Sequence, residues 1–240
     1  MTLVAAFRCQ NGGILLCADR EEIYGDAKRQ VDKIYPIHLP TFQVFIAAAG
    51  PANVISRACS DIHNSLTQAF SDDRDIKGEF KGLIESDLHS IHEKYAANLQ
   101  GWPLDLIVIF APLEPHVAPL LYRTDMAMMI SAQFYVAYGS GQRIADYLAD
   151  RLYDYERLDN ATLLAMAAFI FREAEESTGG VGMGVDMMWI REGNAMTMSI
   201  GPDLVKDLQD QIPNLSDAIY SHWKEHVKVP KTILPKQLST

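Results

Sequence analysis

Apolar and polar residues alternate along this chain in short blocks that predict strands and helices in turn. Short apolar runs predict strands at about 3–10, 13–18, 42–49, 104–112, 118–123, 133–138, 185–191 and 195–199. Apolar residues spaced by three and four predict amphipathic helices at about 51–69, 79–97, 141–156 and 160–176. Pro51 and Asn160 are typical of helix starts. Strand groups that alternate with helix pairs favour sheets stacked between helical layers.

The first two predicted strands are joined by Asn11-Gly12, a dipeptide that favours a two-residue hairpin turn. Such a turn pairs Val4 with Asp19. Because side chains alternate between the two faces of a strand, this register places Asp19 on the side of the sheet that Thr2 occupies. A three-residue loop through Gly13 would reverse that parity.

Thr2 carries the candidate chemistry at this end of the hairpin. If Met1 is removed, Thr2 has a free α-amine beside its own hydroxyl, and that amine can accept the hydroxyl proton. Because threonine has a small side chain, we expect the initiator methionine to be cleaved. The nucleophile and its general base would then belong to a single residue.

The composition agrees with a single domain over residues 1–240. Of these residues, 48% are hydrophobic and 22% are charged, so the chain can bury a sizeable core. A net charge of −10 argues against nucleic acid as a main partner, because nucleic-acid binding calls for a basic surface. No apolar run approaches the length of a membrane span, and no signal peptide is evident. We therefore expect a cytoplasmic protein that does not enter a membrane.

Metal and disulfide chemistry find little support in the sequence. Cys9, Cys17 and Cys59 are odd in number and lack the spacing of a disulfide framework or a zinc site. The segment His222-Trp-Lys-Glu225-His226 has the spacing of a zinc-binding helix, but no further metal ligand follows it. We expect neither a metal nor an organic cofactor.

Six short segments, taken in chain order, form a recognisable pattern. They are Thr2-Leu-Val-Ala-Ala-Phe-Arg, Gly12-Gly13 through Ala18-Asp19-Arg20, Val31-Asp32-Lys33-Ile34, Phe45 through Ala49-Gly50, Tyr138-Gly139-Ser140-Gly141-Gln142, and Glu175-Glu-Ser-Thr178-Gly179-Gly180. In this order the chain resembles a bacterial-type proteasome β subunit, a threonine peptidase of the N-terminal nucleophile hydrolase superfamily. The resemblance covers residues 2 to about 190 and leaves 200–240 as an unmatched C-terminal extension.

The resemblance implies a fold, an activity and an assembly. The fold is an α+β, four-layer αββα sandwich, and the activity is hydrolysis of peptide bonds without a cofactor. The assembly is a homo-oligomeric ring with its threonines facing an enclosed chamber. Peptides or unfolded proteins would be the substrates, and an ATP-dependent unfoldase is a candidate partner.

The resemblance also implies roles for single residues. Thr2 attacks the scissile carbonyl, and Lys33, held in place by Asp19, favours the developing alkoxide. Ser140 is expected beside the threonine amine, where it helps to relay the proton. The backbone N–H of Ala49 or Gly50 is expected to stabilise the oxyanion.

Glu175 and Thr178 complete the expected relay, but both depart from the family pattern. The family has aspartate where this chain has Glu175 and serine where it has Thr178. Glu173 and Glu176 are competing candidates for the acidic role.

Each of these residues also has a structural interpretation. Lys33 could be a solvated lysine on a sheet edge, and Ser140 could cap the helix that follows it. Two other functions therefore stay open. One is a non-catalytic ring or scaffold subunit, favoured by Glu175 in place of the family's aspartate and by Ala49 if it aligns with the family's oxyanion glycine. The other is an amidase of small molecules on the same fold.

Overall fold

The computed structural model describes residues 2–24, 27–72, 74–97, 99, 103–192 and 197–212. The predicted zinc-like segment at 222–226 lies outside these residues. In chain order the elements are β1 (Leu3–Arg8), β2 (Ile14–Asp19), β3 (Glu21–Tyr24), β4 (Ala27–Gln30), β5 (Ile34–His38), β6 (Phe42–Ala49), α1 (Ala52–Ser71), α2 (Ile76–Lys94), β7 (Asp105–Pro112), β8 (Leu120–Asp125), β9 (Met128–Ser131), β10 (Tyr135–Gly139), α3 (Gln142–Leu152), α4 (Asn160–Ser177), β11 (Val185–Ile190), β12 (Met198–Ile200) and α5 (Pro202–Gln211).

Two five-stranded antiparallel sheets form the centre of the fold. One has the strand order β10-β1-β2-β11-β12 and the other β5-β6-β7-β8-β9. Side chains such as Val4, Leu16, Ala47 and Ile109 pack between the sheets. Helices α1 and α2 cover the outer face of the second sheet, and α3 and α4 cover the first. The predicted four-layer αββα sandwich is confirmed.

Strands β1 and β2 are nearly continuous apolar runs because both of their faces are covered. Every residue from Leu3 to Phe7 is fully buried. Val4 and Ala6 face the second sheet, while α3 packs on the other side of β1. The rings of Phe7 and Tyr153 lie 5.7 Å apart on that helical side. A short continuous apolar run is the sequence pattern expected of a strand that is buried on both faces.

The turn between β1 and β2 differs from the prediction. The register pairs Val4 with Ala18, whereas the two-residue loop had paired Val4 with Asp19. The Gly12 backbone N–H donates to the Cys9 carbonyl at 2.9 Å, and Gly12 has a φ of 83°. A turn followed by a left-handed glycine is the usual three-residue hairpin loop. The predicted loop length was therefore wrong, and the strand faces are reversed.

The sequence pattern missed five elements: β3, β4, β5, β9 and α5. Strands β3 and β4 form a separate two-stranded sheet in which half of the residues are charged, so they lack the apolar alternation that signals a strand. Helix α4 begins at Asn160, as predicted, but its N-cap was misplaced by one residue. Asp159, rather than Asn160, is its N-cap, and the Asp159 carboxylate accepts from the Thr162 backbone N–H at 2.8 Å.

Contacts group residues 1–209 into one compact unit. A single domain over 1–240 with an extension from residue 200 stays a prediction, and the predicted loose tail at 227–240 lies outside the described residues. Among the helices that the structure describes, none is long and apolar enough to cross a membrane. The cytoplasmic location stays a prediction.

Candidate active site

Thr2 lies immediately before β1 and is held there through its backbone. Its nitrogen donates to Ser140 Oγ at 3.2 Å, while its carbonyl oxygen accepts from Ser140 Oγ at 3.2 Å and from the Gly141 N–H at 3.3 Å. Gly139, with a φ of 103°, passes so close that a Cβ atom there would collide with the Thr2 carbonyl oxygen. The turn between β10 and α3 therefore fixes the position of Thr2.

Ser140 does not cap the helix, contrary to its structural interpretation. The N-cap of α3 is Gly141, and no side-chain hydrogen bond caps this helix. The Ser140 hydroxyl bonds to the backbone of Thr2 instead. Its predicted place beside the Thr2 nitrogen therefore agrees with the observed geometry.

Asp19, at the end of β2, is fully buried and accepts hydrogen bonds on both oxygens. Its Oδ1 accepts from Thr2 Oγ1 and from the Leu3 N–H, both at 2.7 Å. Its Oδ2 accepts from the N–H groups of Glu21 at 3.1 Å and Gly182 at 3.3 Å. These bonds fix the orientation of the carboxylate.

Thr2 and Asp19 meet even though the strand parity is reversed. The observed register places Asp19 opposite Leu3, on the other face from Val4. Thr2, however, precedes β1, so the alternation of faces within the strand does not constrain it. The predicted contact is present, but the register argument for it was wrong.

Lys33 is buried, with 7% of its surface exposed, so it is not a solvated edge lysine. Its Nζ donates to Thr2 Oγ1, to Asp19 Oδ1 at 2.8 Å and to the Glu21 carbonyl at 2.6 Å. Three acceptors match the three hydrogens of an ammonium group. Burial lowers the pKa of Lys33, and the negative charge of Asp19, followed by those of Glu21 and Glu22, opposes this shift.

Thr2 and Lys33 open onto a cleft of about 820 Å³. Its other walls come from hairpin β3–β4, from β5 and β6, and from the start of α1; they include Glu21, Glu22, Ile23, Arg29, Tyr35, Ala48, Gly50, Pro51 and Ile55. Ala47 packs between the two sheets and does not line this cleft. The cleft is large enough for several residues of an extended peptide.

The two predicted oxyanion residues lie in different surroundings. Gly50 lines the cleft together with Thr2, whereas the Ala49 side chain packs between the sheets. Gly50 has a φ of 142°, and a Cβ atom there would lie 2.8 Å from the Pro103 carbonyl oxygen. Glycine is therefore required at this bend, where the backbone borders the cleft.

Among the described residues, the side chains of Glu175 and Thr178 form no hydrogen bond with Thr2. A Cβ atom at Gly182 would lie 2.7 Å from Glu175 Oε1 and 3.2 Å from Glu21 Oε2, so the two carboxylates are neighbours. Burial, and then the charge of Glu21, raises the pKa of Glu175. Thr178 is the C-cap of α4. Within the described part of the chain, neither side chain bonds to Thr2 or Ser140, and the relay through them stays a prediction.

Glu21 is a component of the site that the sequence did not reveal. Its backbone bonds to both Asp19 and Lys33, and its side chain is 4% exposed. A glutamate in the charged run Arg20-Glu21-Glu22 is expected on the surface, so no sequence pattern singles it out. Among the residues described, no three His, Cys, Asp or Glu side chains are arranged to hold a metal ion.

Comparisons with known proteins concern the family and the fold of the chain. A family model described as "Proteasome subunit" matches residues 2–190. A search of curated proteins found no match.

Solved structures of similar fold include three Anbu proteins. The Anbu (Gly-1) mutant from Hyphomicrobium sp. strain MC1 is 17% identical, with a TM-score of 0.76 over 96% of this chain and 100% of the other. Anbu (ancestral beta-subunit) from Yersinia bercovieri is 12% identical, with a TM-score of 0.74 over 95% and 99%. The structure titled helical assembly of the Anbu complex from Pseudomonas aeruginosa is 15% identical, with a TM-score of 0.74 over 97% and 100%. At these identities the likeness shows the fold.

Proposed function

The chain belongs to the proteasome subunit family, and from that membership we propose that it is a threonine hydrolase that cleaves peptide bonds. The observation that carries the proposal is the position of Thr2 Oγ1. This hydroxyl borders the cleft, donates to the Asp19 carboxylate and accepts from the Lys33 ammonium. A hydroxyl held between a carboxylate and a cation suits a nucleophile whose negative charge grows during attack.

The proposed reaction begins once removal of Met1 leaves a free amine on Thr2. The amine accepts the hydroxyl proton as Oγ1 attacks the scissile carbonyl carbon, and the Lys33 ammonium stabilises the charge that develops on Oγ1. The protonated amine then gives its proton to the departing amine of the substrate. An ester on Thr2 remains, and a water molecule hydrolyses it by the same proton transfers in reverse order.

Two groups support these steps. Ser140 Oγ lies 3.2 Å from the Thr2 nitrogen, where a hydroxyl can orient the amine and pass on its proton. Of the two oxyanion candidates we favour the Gly50 backbone N–H, because Gly50 is among the residues that line the cleft and Ala49 is not. An oxyanion donor of this type usually contributes about 3 kcal/mol to stabilisation of the transition state.

We also propose that the protein is a homo-oligomer. A closed ring would enclose the Thr2 sites, as the resemblance implies, and an open helix is the alternative because a solved Anbu structure is titled a helical assembly. Light scattering should report a mass several times the 26.8 kDa of one chain. Electron microscopy would separate a ring from a helix, and a monomer at micromolar concentration would contradict both. An unfoldase partner stays a prediction.

Thr2→Ala tests the chemistry. The variant should fold and assemble normally but lose peptide hydrolysis, while Thr67→Ala, on the exposed face of α1, should keep full activity. The intact mass of protein purified from its own host should show a chain that starts at Thr2. Equal activity in Thr2→Ala, or a retained Met1 in an active protein, would refute the mechanism and favour another nucleophile. A retained Met1 in a protein that hydrolyses no peptide would favour the scaffold role.

A panel of peptides and small amides would separate the peptidase from the amidase. The size of the cleft leads us to expect turnover of peptides.

A further inference from the structure

Glu21 connects the charged groups of the site through its backbone. Its N–H donates to Asp19 Oδ2 at 3.1 Å, and its carbonyl oxygen accepts from Lys33 Nζ at 2.6 Å. The residue therefore touches both members of the ion pair that holds Thr2 Oγ1. These two contacts depend on the backbone and would form with any side chain at this position.

The Glu21 side chain is a buried charge that bonds to a single partner among the described residues. It is 4% exposed, and its Oε2 pairs with Lys28 Nζ at 2.9 Å. Its Oε1 is buried and accepts no hydrogen bond within the described part of the chain. A carboxylate oxygen in this state costs free energy, because it has lost water without gaining a donor. Packing alone gives no reason for a charge here.

The charged groups around Lys33 and Glu21 come from four neighbouring elements. Asp19 on β2 bonds to the Lys33 ammonium directly, and Glu21 and Glu22 on β3 add further negative charge. Two groups face Glu21 itself: Lys28 on β4 offsets its charge, and Glu175 on α4 adds to it. Arg29 pairs with Glu22 at 2.5 Å.

We propose that the Glu21 carboxylate is a positioning residue that keeps Lys33 in its ammonium form, with Lys28 as the counter-charge that limits this effect. Glu21 acts through Lys33 and makes no contact with the reacting atoms. The proposal rests on the proposed function, in which the Lys33 ammonium stabilises the Thr2 alkoxide. It assigns a use to the buried charge that packing leaves unexplained.

The electrostatics of Lys33 agree with this role. Burial lowers the pKa of Lys33, and the charges of Asp19, Glu21 and Glu22 raise it, in that order. Without the Glu21 charge, Lys33 would lose its proton at lower pH. Without Lys28, the negative charge of Glu21 would be uncompensated, and Lys33 would keep its proton to higher pH. The two single changes therefore act in opposite directions, which a loss of packing would not do.

The first test is the pH profile of kcat/KM for a fluorogenic peptide, measured on the assembled protein. Glu21→Gln keeps the size and backbone bonds of the residue and should shift the alkaline limb to lower pH. Lys28→Met should shift it to higher pH, and the double variant should return close to the wild type. Glu22→Gln should give a smaller shift in the direction of Glu21→Gln, and Glu21→Asp should keep the wild-type limb.

The second test reads Lys33 without activity. Competitive acetylation with trace acetic anhydride across a pH series, followed by peptide mass spectrometry, reports the pH at which Lys33 becomes reactive. Glu21→Gln should lower that pH and Lys28→Met should raise it, while the exposed Lys77 and Lys81 should not change.

An unchanged Lys33 titration in Glu21→Gln, or a Lys28→Met shift in the same direction, would overturn the proposal. A shift in the titration without a shift in the alkaline limb would also overturn it, because Glu21 would then have no bearing on catalysis. Failure of the wild type to hydrolyse any peptide would refute the proposed function alone. In that case the acetylation experiment would still decide whether Glu21 holds the charge of Lys33.

Discussion

Hairpin β1–β2 is buried on both faces, whereas hairpin β3–β4, which follows it directly in the chain, is largely exposed. The first is held by apolar contacts between two sheets and a helical layer. The second has cross-strand pairs of opposite charge, such as Glu22 with Arg29. Both border the candidate site. Under the proposed function, the buried hairpin would hold Thr2 in place and the charged hairpin would adjust the electrostatics around it.

The largest expected effect compares the stability of the two hairpins. Phe7→Ala on β1 should lower the free energy of unfolding by about 3–5 kcal/mol, because it removes a fully buried ring. Ile23→Ala on β3 should cost less than about 1 kcal/mol, since that side chain is 36% exposed. Urea unfolding at one protein concentration measures both changes. Similar losses would mean that β3–β4 is as much a part of the core as β1–β2.

The next effect concerns the Lys33 ammonium, which contacts Asp19 of the first hairpin and Glu21 of the second. Lys33→Ala should reduce turnover on the order of 100-fold or more, about 3 kcal/mol, because it removes a fixed cation beside Thr2 Oγ1. Lys33→Arg should also fail, since a planar guanidinium does not replace a compact ammonium. Asp19→Asn should impair turnover in the same direction.

Peptide hydrolysis and circular dichroism test these three variants together. The exposed Lys77→Ala serves as the matched control, and its turnover should equal that of the wild type. Normal turnover in Lys33→Ala beside an inactive Thr2→Ala would make Lys33 a structural residue.

A smaller effect separates Ser140 from Glu175, the two ends of the expected relay. Ser140→Ala should lower kcat on the order of 100-fold, because Ser140 Oγ is bonded to the Thr2 nitrogen. Glu175→Gln should lower kcat much less, since its carboxylate lies beside Glu21 and Gly182 instead. Steady-state kinetics on both variants makes the comparison. Equal losses would restore Glu175 to the relay and imply a contact that forms only with substrate.

The same contrast between hairpins explains what the sequence could predict. Continuous apolar runs predicted β1 and β2, and the glycine turn predicted that they pair. The loop length stayed out of reach, because Asn11-Gly12 favours a two-residue turn but its glycine also fits the left-handed position that ends a three-residue loop. The charged strands β3 and β4 carried no apolar pattern, so neither they nor the buried Glu21 could be predicted.

Some features of the site could be predicted from the sequence and others could not. Thr2, Asp19 and Lys33 were found through their chemistry and family resemblance, and the structure brings them together. Glu175 lies beside Gly182, whose φ of 152° no residue pattern specified. Which of Ala49 and Gly50 borders the cleft depends on where β6 ends. Such details follow from packing between elements that are distant in sequence.

The smallest expected effect separates the pH dependence of the fold from that of the site. Asp105 begins β7, opposite Ala49, and burial together with the charge of Asp125 raises its pKa to about 6. Because this pKa exceeds that of the unfolded chain, the native state binds more protons between about pH 4 and 6, and its stability falls as pH rises through that window. Asp105→Asn should remove this part of the decline, so that its advantage over the wild type is larger at neutral pH than at about pH 4. Urea unfolding at fixed protein concentration in a pH series measures the difference. Parallel curves of unfolding free energy against pH would show that Asp105 titrates normally. Curves that converge near pH 4 would assign the acid response to Asp105 in the sheet sandwich, since that pH lies far below the alkaline limb expected from Lys33.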